Sequence, residues 1–182
     1  DRRKDELLAR AYELGFDYER RFRGCSQCAI AAIQDTLGVQ DEAVFKAATG
    51  LAGGGALTGR GACGGYVGGV MVLSQLQGRE RQHFDDPDGI RFRTFDLAKD
   101  LADRFDEEFG GTICRDVQTR VFGRSFDLRD PEDFRRFDAS GAHDDKCPDV
   151  VGKAARMTVE IILGAGLVSL NQATDQNPAA SA

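Results

Sequence analysis

Histidine is nearly absent from this 182-residue chain, with His83 and His143 the only two. A site built from several imidazoles is therefore excluded, and with five cysteines present, chemistry is expected to run through sulfur. Long apolar runs are missing as well. The best stretch, residues 150–170, is interrupted by Lys153, Arg156 and Glu160, whereas a membrane-crossing helix needs about 20 predominantly apolar residues. No membrane span is expected. Basic blocks are missing too: 24 Lys and Arg stand against 30 Asp and Glu, a formal net charge of −6. Neutralising phosphates takes clustered cations, so nucleic acid is not an expected partner.

What is present is an ordinary globular composition, 41% apolar and 30% charged, together with 22 glycines. It suffices for one core. Residues 1–170 read as one helical domain and residues 171–182 as a flexible tail. An apolar stripe with Leu7, Leu8, Ala11, Leu14 and Phe22 predicts a helix over residues 3–22, broken near Gly15. A second helix is predicted over Cys25 to Leu37, ended by Gly38. Asp41 then reads as the cap of a short helix, Glu42 to Ala48. Residues 50–61 carry too many glycines for a regular element and read as a loop. A buried, glycine-interrupted helix follows over residues 62–77, and Thr94 to Phe109 is amphipathic with a stop at Gly110. Ile113 to Phe122 suits a short helix. Residues 123–146 read as one long charged loop with a single helical turn at Glu132 to Phe137. A last helix opens near Asp144 or Asp145 and Pro148 and runs to about Leu170. No segment alternates as a strand would, so the fold expected is all-α, a bundle of about five helices.

Cys25, Cys63, Cys114 and Cys147 each fall at, or just before, the first turn of a predicted helix. A helix N-terminus offers unpaired N–H groups and partial positive charge, which favours thiolate and so favours exchange chemistry or metal ligation. Four such positions converging would make a redox or metal site, although free cysteine is also a common buried residue. Cys25 and Cys28 share a helix face as a C-x-x-C pair, the spacing of an exchanging dithiol. Ala29 follows in place of histidine, so this is not the covalent c-type haem signature. With no second C-x-x-C, a zinc ribbon is disfavoured, and the spacing matches neither common ferredoxin pattern.

Other features carry weaker signals. The glycine loop of residues 50–61 lacks the Gly-Lys-Ser/Thr ending and the preceding strand of a phosphate loop. Its amides could instead donate to sulfur near Cys63. His143, Asp144 and Asp145 near Cys147 offer an extra ligand or proton donor, or a solvated charge cluster. Asp103, Asp106, Glu107 and Glu108 read as an exposed helix face.

Taken together, Cys25-Ser-Gln-Cys-Ala-Ile-Ala-Ala-Ile-Gln-Asp-Thr-Leu-Gly38, Ala48 to Gly55, Cys63-Gly-Gly-Tyr-Val-Gly68, the isolated Cys114 and Cys147-Pro148 resemble the redox-active C_GCAxxG_C_C family over roughly residues 20–165. Its four dispersed cysteines correspond to Cys25, Cys63, Cys114 and Cys147. The motif here reads Cys63-Gly64-Gly65, with glycine where that family has alanine, and Cys28 is additional. Related domains occur in split-Soret cytochromes, where an iron–sulfur centre accompanies haem. The resemblance therefore implies an iron–sulfur cluster, with the four cysteines as metal ligands and Gly64 and Gly65 as cofactor-contacting positions. It also implies an export signal ahead of Asp1, and so a periplasmic location in preference to a cytoplasmic one.

Three functions remain open on the sequence. The first is an electron-transfer protein with a thiolate-ligated metal, serving a redox partner or a larger complex. The second is a metal-free thiol–disulfide protein using Cys25 and Cys28, and the third a helical subunit with inert cysteines. A glycine-rich face left exposed would suit a homodimer interface.

Overall fold

The structure is a computed structural model that describes residues 1–173. The described residues form eight α-helices and no strand beyond a single antiparallel bridge between Ala62 and Ile113. In chain order the helices are α1 (Arg2–Phe22), α2 (Cys25–Leu37), α3 (Glu42–Ala47), α4 (Gly64–Gln77), α5 (Ile90–Phe109), α6 (Cys114–Phe122), α7 (Pro131–Ala139) and α8 (Cys147–Gly164). The all-α class holds, while the count of about five does not. Five long helices, α1, α2, α4, α5 and α8, make the bundle, and α3, α6 and α7 are short additions in its connections. No helix among the described residues is long and apolar enough to cross a membrane. Most of the expected tail, residues 174–182, lies outside the described residues.

Local chemistry sets most of the boundaries. Asp41 caps α3 through its carboxylate on the Val44 N–H, and Gly38 ends α2 in the left-handed region. The fifth helix starts at Ile90, ahead of the expected Thr94, because the Asp86 carboxylate accepts the Ile90 and Arg91 N–H groups at 2.7 and 3.2 Å. The last helix stops at Gly164, short of Leu170. It is entered through a π-helical turn, Ala142–Lys146, and neither Asp144 nor Asp145 caps it.

Two corrections bear on how the bundle packs. The first helix is unbroken, because Gly15 is a crossing point and not a stop. A side-chain carbon there would lie 2.9 Å from the Val151 carbonyl, and one at Gly152 would lie 2.8 Å from the Tyr12 ring and carbonyl. Bare backbone on both helices lets α1 and α8 touch. Likewise the glycine face of α4 is internal. A carbon at Gly68 would fall 2.6 Å from the Ser26 carbonyl of α2, one at Gly69 2.6 Å from Leu101 of α5, and one at Gly65 3.0 Å from Ala154 of α8. That face is closed to a second copy of the chain.

Around these crossings Ile30, Ile33, Leu73, Phe105 and Ile162 are fully buried. Each contributes about 1.5–3 kcal/mol relative to exposure.

Residues 123–146 are more ordered than a charged loop. Asp130 caps α7 by accepting the Glu132 and Asp133 N–H groups. Phe122, Phe126 and Phe137 form an aromatic cluster with ring centroids 5.3–5.5 Å apart. Its members are not periodic in sequence, so no helical stripe announces them.

The α1–α8 crossing yields a direct test. Gly152→Val should destabilise the protein by about 1–3 kcal/mol through overpacking. Gly164→Ala, with nothing within 4 Å of the added carbon, should leave the urea midpoint unchanged or slightly raised. Equal midpoints for the two variants would contradict the close crossing.

Candidate functional site

Each of the four dispersed cysteines stands at a helix start. Cys25 opens α2 behind Gly24, Cys63 caps α4, and Cys114 and Cys147 are the first residues of α6 and α8. At α8 the following Pro148 costs nothing, since N–H groups of a first turn have no intrahelical acceptor. All four line one cavity of about 90 Å³, room for about three waters. Gly64 lines it as well, while Gly65 is the next residue along α4.

Backbone pairing brings two of the thiols together. The Cys63 N–H donates to the Thr112 carbonyl at 2.6 Å and the Cys114 N–H to the Gly61 carbonyl at 2.9 Å. The glycine loop behind them folds on itself, with Gly59 and Gly61 N–H groups bonded to the Gly53 and Gly54 carbonyls. Its amides therefore point inward, and the Gly53 N–H donates to the sulfur of Cys25. This is the arrangement of a sulfur-supporting loop, not of an open phosphate cradle.

The walls are mostly apolar, with Phe122, Phe134 and Phe137 on one side and Val150 and Val151 of α8 on another. Three polar side chains reach the cavity: Gln118, His143 and Glu19. Gln118 donates through Nε2 to the Cys114 sulfur at 3.4 Å and accepts the Phe126 N–H at 2.8 Å. His143 holds Nδ1 2.7 Å from Asp138 Oδ1, an interaction that lowers the Asp138 carboxyl below its usual range. Asp144 and Asp145 are exposed, so the charge cluster divides, with only its histidine facing the thiols.

Glu19 is the residue that sequence reasoning missed. It is 2% exposed, and its Oε2 has no hydrogen-bond partner. Burial pushes its pKa up to about 7, with the Cys28 thiol and the Arg23 charge drawing it partly back. A signal existed: the buried row Leu7, Ala11, Gly15 steps along α1 by four residues and arrives at Glu19. An acid at that step is buried by the helical period itself.

Cys28 behaves differently from the other four. It is buried, donates to the Arg23 carbonyl at 3.0 Å, and lines a separate open groove that includes Tyr18, Phe22 and Phe45.

The expected thiolate preference is not met. Burial raises Cys25 and Cys147 well above the usual thiol range and Cys63 to about 12, and it raises Cys114 as well. Nearby sulfurs and Glu19 add to the rise at Cys25, Cys63 and Cys147. Amide donors oppose it: the Gly65 and Tyr66 N–H groups lower Cys63, and Gln118 lowers Cys114. Desolvation outweighs the helix termini, since charge in an apolar cavity loses more hydration than a few dipoles restore. Without a bound cation the cluster consists of neutral thiols. Among the described residues, no three His, Cys, Asp or Glu side chains stand close enough together to hold a single metal ion. The four thiols ring a space.

Residues 24–161 match the family described as "Putative redox-active protein (C_GCAxxG_C_C)". The chain belongs to this family. The matched segment holds all four cavity cysteines and the glycine loop, whereas α1, with Glu19, lies outside it. Searches of curated proteins and of solved structures gave no match.

Glu19 gives this C_GCAxxG_C_C protein a pH signature. Its folded-state pKa of about 7 exceeds the ordinary 4.5, so the folded state keeps a proton that the unfolded chain releases. Stability of the metal-free protein is therefore full below about pH 4.5 and falls as pH rises through 7, by about 3 kcal/mol in all. Urea unfolding at pH 5 and pH 8 should show this fall, and Glu19→Gln should flatten it. An equal fall in the variant would assign the effect elsewhere.

Proposed function

We propose that this protein transfers electrons through an iron–sulfur cluster held by Cys25, Cys63, Cys114 and Cys147, and serves a redox partner or a larger redox complex. The observation that carries the reading is the convergence of four thiols, from four helix starts scattered along the chain, on one apolar cavity. Thiolates are the donors that select iron–sulfur clusters, zinc or copper(I). Membership of a family described as redox-active favours iron over zinc, which has no redox chemistry.

The protein's own groups suit such a centre. Metal uptake removes a proton from each ligating cysteine, so affinity rises with pH. The Gly53, Gly65 and Tyr66 amides and the Gln118 side chain donate to the sulfurs and stabilise the more negative, reduced state. Phe122, Phe134 and Phe137 limit water at the ligands. Gly64, where a side-chain carbon would collide with the Cys25 sulfur, leaves that thiol its place at the cavity. When bound, the cluster supplies reversible one-electron transfer.

The dithiol reading is weaker. Cys25 and Cys28 do pack against the same small cluster, but Cys28 is committed to the Arg23 carbonyl and opens onto a different groove. A cysteine series separates the two readings. Under the cluster reading, Cys63→Ser loses most of the iron while Cys28→Ser keeps most of it. Equal loss in both variants would reassign the ligands. Under the dithiol reading, Cys28→Ser abolishes a reversible intramolecular disulfide, and an unchanged thiol redox titration would reject that route.

A further inference from the structure

A carboxylate taken out of water needs hydrogen bonds or a cation on its oxygens, because its desolvation is costly. Glu19 meets this need only in part. Its side chain neighbours the Cys28 thiol, whose proton goes to the Arg23 carbonyl, while Oε2 is buried without a hydrogen-bond partner and Glu19 lines the cavity of the four cysteines. It also lies near enough to Cys25, Cys63 and Cys147 to act on each of them electrostatically. The helix that carries it packs closely against α8 at the Gly15–Gly152 crossing, one turn away. That helix lies outside the family match. The donor is thus an addition to the four family cysteines.

We infer that Glu19 is a fifth protein ligand to the metal centre, an oxygen donor supplied by α1, which makes the ligand set mixed sulfur and oxygen. The inference rests on the cluster reading given above. Ligation forms one bond from Oε2 to iron, any proton on the carboxyl passes to buffer, and no oxidation state changes. The second cavity-lining candidate, His143, has Nδ1 engaged by Asp138 and still carries a free Nε2, so it is the competitor to be tested.

The test is iron K-edge X-ray absorption on the full chain, reconstituted without oxygen from ferrous iron and sulfide. Wild type should show a light-atom scatterer beside sulfur in the iron shell. Glu19→Leu, an apolar replacement that suits its buried row, should lose that scatterer while keeping iron within about twofold, since four thiolates remain. His143→Phe should retain it. An all-sulfur shell in wild type overturns the inference, as does a light-atom shell that survives Glu19→Leu or vanishes in His143→Phe. If Glu19→Leu does not fold, Glu19→Gln, which keeps the side-chain shape but loses the anionic donor, takes its place and should likewise weaken the light-atom scatterer, while an unchanged shell overturns the inference. A wild type that takes up no iron defeats the cluster reading itself, whereas an iron-loaded, all-sulfur wild type defeats only the role of Glu19.

Discussion

A side-chain carbon at Gly64 would collide with the sulfur of Cys25 and lie 2.7 Å from the Ser26 amide. The starts of α2 and α4 can therefore meet only where α4 begins with bare backbone. The cysteine site depends on this approach. It sets Cys25 and Cys63 on one cavity, and the Ala62–Ile113 bridge adds Cys114 from the other side. The fourth thiol arrives with α8, whose position is fixed by its glycine crossing with α1. Close helix contact is thus the means by which residues 25, 63, 114 and 147 become one site.

That packing has an electrostatic consequence. Four thiols and a carboxyl share an apolar space, and burial holds all five above their ordinary pKa values. Neutral thiols at helix starts are poor nucleophiles, which argues against constitutive disulfide exchange at these positions. A bound cation, as proposed above, would reverse the sign of the local field and stabilise the thiolates. Site formation and metal uptake are in this view one linked equilibrium.

Much of the fold was legible because its signals are local. Gly24 and Gly38 bracket α2, Asp41 marks α3, and the glycines of residues 50–61 exclude a regular element there. The helix-start placement of the cysteines was legible for the same reason. What escaped depends on partners distant in sequence. Gly15 reads as a break until α8 is known to cross it. Phe122, Phe126 and Phe137 follow no period, so the sequence shows neither the wall they build nor the full length of α7. The convergence of the four cysteines came from family resemblance and not from spacing. Glu19 is one charge among many in α1, although its place on the row of Leu7, Ala11 and Gly15 is visible in the sequence. The rise of the thiol pKa values is hidden from the sequence, because the helix terminus is a sequence feature and desolvation is a tertiary one.

The central claim is that the four-thiol cavity holds an iron–sulfur cluster. Iron and acid-labile sulfide analysis, with a visible absorption spectrum, on the full chain purified without oxygen tests it most directly. Iron and sulfide should be found together, with the broad visible absorption of sulfur-to-iron charge transfer. Protein with intact cysteines, no iron and no sulfide would contradict it.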